Sequence, residues 1–80
     1  MRIDITMFDG VDELDVIGPH EVFRSAANLG GRIDARLVSR VPTSEIRAAY
    51  GLRFRPDGVF EPGEADVLIV PEGDGRRETK

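Results

Sequence analysis

The chain has 80 residues, with 15 acidic against 11 basic side chains, a formal net charge of −4 and 40% apolar residues. That is the composition of one soluble, mildly acidic globular unit, with no room for a second domain. The basic residues are scattered among more numerous acids, so the clustered Lys/Arg that neutralises phosphates is missing and no direct nucleic-acid binding is expected. The longest apolar run, Val67 to Val70, is far too short to cross a bilayer, and Met1-Arg2 leads straight into an alternating segment rather than a signal peptide. With no Cys, disulfides, thiolate metal sites and a cysteine nucleophile are absent from these residues. A cytoplasmic location is the expectation, with no membrane partner, no metal and no cofactor. A domain this small buries only about 60% of its unfolded-state surface, so stability depends on very complete packing or on a partner.

Arg2 to Phe8 alternates polar and apolar, with Ile3, Ile5 and Met7 on one face, and predicts a first strand. Asp9-Gly10 is a turn signal. Asp12 to Ile17 fits one acidic helical turn or a structured loop, broken at Gly18-Pro19. Pro19 suits the first position of a new helix, and Glu21 the positive end of its dipole. Val22, Phe23, Ala26, Ala27 and Leu29 then mark an apolar stripe at helical spacing, stopped by Gly30-Gly31.

Arg32 to Val38 alternates again, with Ile33, Ala35 and Leu37 on one side, and predicts a second strand. Val41 to Ser44 is a turn, and Ile46 to Ala48 a brief edge strand. Gly51 to Pro56 alternates and ends at the Pro56-Asp57-Gly58 turn; a proline cannot donate to a ladder, which puts this strand at an edge. Val67 to Val70 is apolar on both faces, as expected of a central parallel strand covered above and below. Arg76 to Lys80 is a polar tail after a domain of residues 1–75. One strong helix covers one face of a sheet that needs two. The expected architecture is therefore an incomplete α/β sandwich, lacking the helices that would close the other face.

Among candidate site residues, Asp9, Asp12 and Glu13 match no calcium-loop spacing and fit a solvated turn before a helix. Asp15 lies between Leu14 and Val16-Ile17, flanks that draw it towards the interior at a strand-to-helix junction. A carboxyl group there can serve in proton transfer; a helix cap is the equally weighted alternative. His20 and the scattered serines have no motif context. Gly73 and Gly75 follow a parallel strand, where bare backbone can offer N–H groups to an anion, although Pro-x-Gly-x-Gly is also an ordinary loop.

The run Phe8 to Phe23, with its Leu14-Asp15-x-x-Gly18-Pro19-x-Glu21-Val22 core, resembles the amino-terminal signature of the ThiJ/PfpI superfamily, which has the class I glutamine amidotransferase-like fold. The form is most similar to the isonitrile hydratase branch and is shared with ligand-sensing domains of AraC-type regulators. Leu37 to Ser39, Gly51 to Asp57 and Val67 to Pro71 fit in order, so the resemblance covers residues 2–75.

The resemblance implies a flavodoxin-like three-layer sandwich, usually a homodimer of chains more than twice this length, acting on a small-molecule substrate or ligand. It implies that Asp15 is the catalytic acid that assists proton transfer while a cysteine thiolate attacks an isocyanide and water adds to give an N-substituted formamide. It implies further that the Pro71-Glu72-Gly73 turn, at Gly73, faces developing negative charge. Two departures stand out: the elbow cysteine would lie beyond residue 80, and Glu72 occupies the place of the turn's first glycine. The chain is thus expected to be an amino-terminal fragment, inactive alone. The alternative is the sensing or dimerisation part of a transcriptional regulator.

Overall fold

The computed structural model describes residues 1–73; Gly75 and the 76–80 tail lie outside the described residues. The elements run β1 (Arg2–Met7), α1 (Glu13–Asn28), β2 (Asp34–Ser39), β3 (Ile46–Arg47), β4 (Arg53–Phe54), β5 (Gly58–Val59) and β6 (Val67–Ile69). Four strands form one sheet in the order β5-β2-β1-β6, with every neighbouring pair parallel. β3 and β4 make a separate antiparallel pair. The architecture is α/β, with one helix and a mostly parallel sheet.

Alternation in β1 places Ile5 beside Leu37 of β2 and Ile69 of β6 on one face. Ile5 and Met7 join Val11, Val16 of α1, and Ile46 and Ala48 of the β3 segment in the buried core. The opposite face carries Arg2 and Asp4. Asp4 is wholly buried, and the Arg2 guanidinium grips both its oxygens, Nε to Oδ1 at 2.9 Å and Nη2 to Oδ2 at 3.2 Å. The connection 60–66 must traverse the sheet from β5 at one edge to β6 at the other. The Asp4 hydrogen bond first, and then the charges of Asp4, Glu64 and Glu61, raise the Arg2 pKa above its ordinary value. The β1-to-β2 and β5-to-β6 connections run in opposite directions along the sheet, so right-handed crossovers put the latter on the face opposite α1, the Arg2/Asp4 face. Backbone bonds tie its end to β1, with Asp66 N–H donating to Arg2 O at 2.8 Å.

Five expectations about elements need correction. The helix does not begin at Pro19 but at Glu13, with Asp12 as its N-cap accepting the Leu14 N–H at 2.9 Å. Pro19 therefore sits inside the helix, where it forgoes one backbone hydrogen bond. The residue before a proline resists helical geometry because its Cβ meets the proline ring, and Gly18 has no Cβ. The packing stripe of α1 also differs: Val16 is buried and His20, Phe23 and Ala27 half-buried, whereas Val22 and Leu29 are exposed.

The strand beside β2 is Gly58–Val59, where a turn was expected. Asp57 N–H donates to Leu37 O at 2.7 Å, the Asp57 carboxylate accepts the Leu37 N–H at 2.8 Å, and Phe60 N–H donates to Ser39 O at 2.7 Å. A two-residue strand is too short to show alternation. The Gly51–Pro56 segment contributes only Arg53–Phe54, and to the small sheet. Finally, among the described residues β6 pairs with β1 alone and stands at the sheet edge. Val67, Leu68 and Val70 are 41%, 44% and 67% exposed, not covered on both faces. An apolar pattern states a need for cover and not where the cover comes from.

Candidate functional site

Three segments meet at the carboxyl ends of β1 and β6: the loop after β1, the first turn of α1, and residues 71–73. α1 follows β1 over one face of the sheet, and the 60–66 connection reaches β6 over the other. The chain thus diverges between β1 and β6, and crevices outside strand ends at such a point are where open α/β sheets bind ligands.

Asp15 Oδ2 accepts the Glu72 N–H at 3.2 Å. Asp12 N–H donates to Glu72 O at 2.9 Å, and Val11 and Gly73 form an antiparallel bridge. At Gly73 a Cβ would lie 2.6 Å from Gly10 O and 2.8 Å from the Phe8 ring, so this close approach requires glycine. The Gly73 N–H donates to no acceptor among the described residues. Asp15 is half-buried in the first helical turn, where the dipole favours a carboxylate. Asp12, not Asp15, caps the helix. The fold therefore brings Asp15 and Gly73 into one corner, with the backbone between them bonded to the carboxylate. The exposed Glu72 side chain adds a negative charge at its rim.

The solvated-turn expectation fails for Glu13 alone, since Asp9 is exposed in the turn and Asp12 caps the helix that follows. Asp9 Oδ1 accepts the Arg47 N–H at 3.0 Å. Glu13 is buried at 6% exposure, and its carboxylate accepts Tyr50 N–H at 2.8 Å and Leu52 N–H at 3.2 Å. Together with Gly10 N–H to Arg47 O and Ala49 N–H to Val11 O, both at 2.9 Å, these bonds fasten the β3–β4 hairpin to the loop that carries Asp15. Glu13 supports the site and was missed in the sequence because its partners lie 37 and 39 residues away. Among the described residues no three of His, Asp and Glu converge to hold a metal ion. Nor is any helix among them long and apolar enough to cross a membrane.

No family model matches the chain. An uncharacterized protein from the cpoL 5′ region of Streptomyces lividans is 34% identical over 74 residues, which are 91% of this chain and 52% of that protein. The chain thus spans about half the length of that relative. Oxidised DJ-1 of Toxoplasma gondii superimposes with a TM-score of 0.76 at 16% identity, over 90% of this chain and 38% of its own. The fold is that of DJ-1. A DJ-1 superfamily protein variant from Salmonella typhimurium gives 0.77 at 13% identity, over 90% of this chain and 38% of its own. An AraC family transcriptional regulator of Pseudomonas putida gives 0.76 at 17% identity, over 91% and 47%. Identities this low establish the DJ-1-like, flavodoxin-type fold and nothing narrower.

Proposed function

We propose that this chain is the amino-terminal part of a DJ-1/ThiJ/PfpI-type protein of the isonitrile-hydratase kind, supplying the acid/base carboxyl of its active site. The observation that supports this most directly is the Asp15 carboxylate at 3.2 Å from the Glu72 N–H, at the carboxyl ends of β1 and β6. A carboxyl group held by one backbone donor keeps further lone pairs for a substrate proton. The Gly73 N–H, which has no acceptor among the described residues, is suited to stabilise charge that develops on the substrate. The nucleophile of the proposed water addition to an isocyanide is a thiolate, and these 80 residues contain no cysteine. The isolated chain is therefore expected to be inactive.

Self-association belongs to the same proposal. Val22 and Leu29 are exposed on the outer face of α1, and Leu14, Tyr50 and Leu52 are exposed near its start. Pairing of two copies would remove these side chains from water.

The test is formamide production from an isocyanide, comparing the 80-residue chain with the product of the complete gene, with and without Asp15→Asn. Turnover only by the complete product, lowered about 100-fold or more by Asp15→Asn, supports the proposal. Turnover by the 80-residue chain, or full activity of the Asp15→Asn variant, overturns it. The fold shared with the Pseudomonas putida regulator favours a second reading, a ligand-sensing part. A helix-turn-helix pair encoded downstream, without a cysteine elbow, decides for that alternative.

A further inference from the structure

A second cavity lies on the other side of β1 from the Asp15 corner, where β1 and β2 end. Its volume is about 190 Å³, room for roughly six groups of water size at about 30 Å³ each. Met7 and Ile46, both buried, form its floor, and Phe8 and Val41 its apolar walls.

The polar groups around it differ in how far they are already engaged. The Ser39 hydroxyl donates to Val41 O at 2.7 Å. Thr43 Oγ1 donates to Glu45 O at 3.1 Å and accepts the Glu45 N–H at 3.4 Å. Both are committed to the loop's own backbone. Two charged groups of opposite sign are not. The Arg40 guanidinium has no ion-pair or hydrogen-bond partner among the described residues, and Asp9 engages only Oδ1, on the Arg47 N–H. The lining thus includes one cationic residue and one carboxylate with a single bonded oxygen, beside apolar residues.

This charge pattern discriminates among ligands. A simple carboxylate gains Arg40 but faces Asp9, and a simple amine gains Asp9 but faces Arg40. A molecule carrying both charges satisfies both. From the cavity's size, its floor and these two unengaged charges, we propose that it binds a small aliphatic α-amino acid. The carboxylate pairs with Arg40, the ammonium with Asp9 Oδ2, and the branched side chain rests on Met7, Phe8, Val41 and Ile46. The site is separate from the Asp15 corner, and the inference does not depend on the isocyanide chemistry.

The test is an amide-resolved NMR titration of the whole chain with L-valine, and in parallel with isovalerate and isobutylamine, which keep the aliphatic group and lack one charge each. The expected result is saturable shifts at Phe8, residues 39–41, Thr43 and Ile46, with L-valine binding at least about tenfold more tightly than either analogue. Arg40→Gln, at an exposed position, is expected to weaken L-valine about tenfold while the spectrum stays folded. Asp9→Asn keeps an oxygen for the Arg47 N–H and is expected to weaken it similarly. Isovalerate or isobutylamine binding as tightly as L-valine, unchanged affinity in Arg40→Gln, or no saturation by L-valine overturns the proposal.

Discussion

β1 and β6 are neighbours in one sheet, β1 alternating in sequence and β6 apolar on both faces, yet it is the alternating strand that ends better covered. β1 is covered by α1 on one face and by the 60–66 connection on the other, and its Ile3, Ile5 and Met7 are buried. The loop after it is fastened on both sides, to the hairpin through Asp9, Val11 and Glu13, and to residues 72–73 through Asp12 and Asp15. β6 has β1 on one edge, and Val67 and Leu68 remain well exposed. The candidate site lies where the two meet: its carboxyl group comes from the well-held side and its backbone turn from the loosely held one. A carboxylate from a well-packed loop and a backbone turn that follows an exposed edge strand are thus parts of one corner.

The largest expected effect tests the well-held side. Ile5→Ala, at a position with no exposure, is predicted to cost about 2–5 kcal/mol in urea unfolding. A smaller loss would mean that β1 is no better packed than β6. Next, Glu13→Ala strands the Tyr50 and Leu52 N–H groups and is predicted to cost roughly 1–3 kcal/mol. Hydrogen exchange at those two amides should accelerate, and Glu13→Gln, which keeps one acceptor oxygen, should recover part of the loss.

Pro19→Ala probes a weak point within the well-held side. It restores a helical hydrogen bond and is predicted to stabilise by about 2 kcal/mol in the same unfolding experiment. Leu68→Ala is the smallest change. At 44% exposure it is predicted to shift stability by no more than about 0.5 kcal/mol. A loss of Ile5 size would show that β6 is covered in solution, for instance by a second copy.

What the sequence discloses follows the range of the interactions involved. β1, β2 and the second half of α1 follow from alternation and spacing within a few residues, and Gly30, at a φ of +100°, ends the helix as its position implied. The true start of α1 was hidden because a Gly-Pro pair reads as a break, although Gly18 removes the clash that usually makes it one. β5 was hidden because its pairing depends on Asp57 reaching Leu37 across twenty residues of sequence. Asp15 stood out through its apolar flanks and the family resemblance, and the meeting with Glu72 gives it a place. Glu13 and Asp4 did not stand out, since a buried acid is recognised by its partners. Glu13 finds them in a distant hairpin, and Asp4 in an arginine two residues back whose pairing depends on the cover above it.

The account turns on the contact between Asp15 and the backbone of Glu72, and amide hydrogen exchange at Glu72 measures it most directly. The prediction is slowed exchange in the unaltered chain and at least about tenfold faster exchange in Asp15→Ala, with the β1 amides unaffected. Equal exchange at Glu72 in both proteins would contradict it.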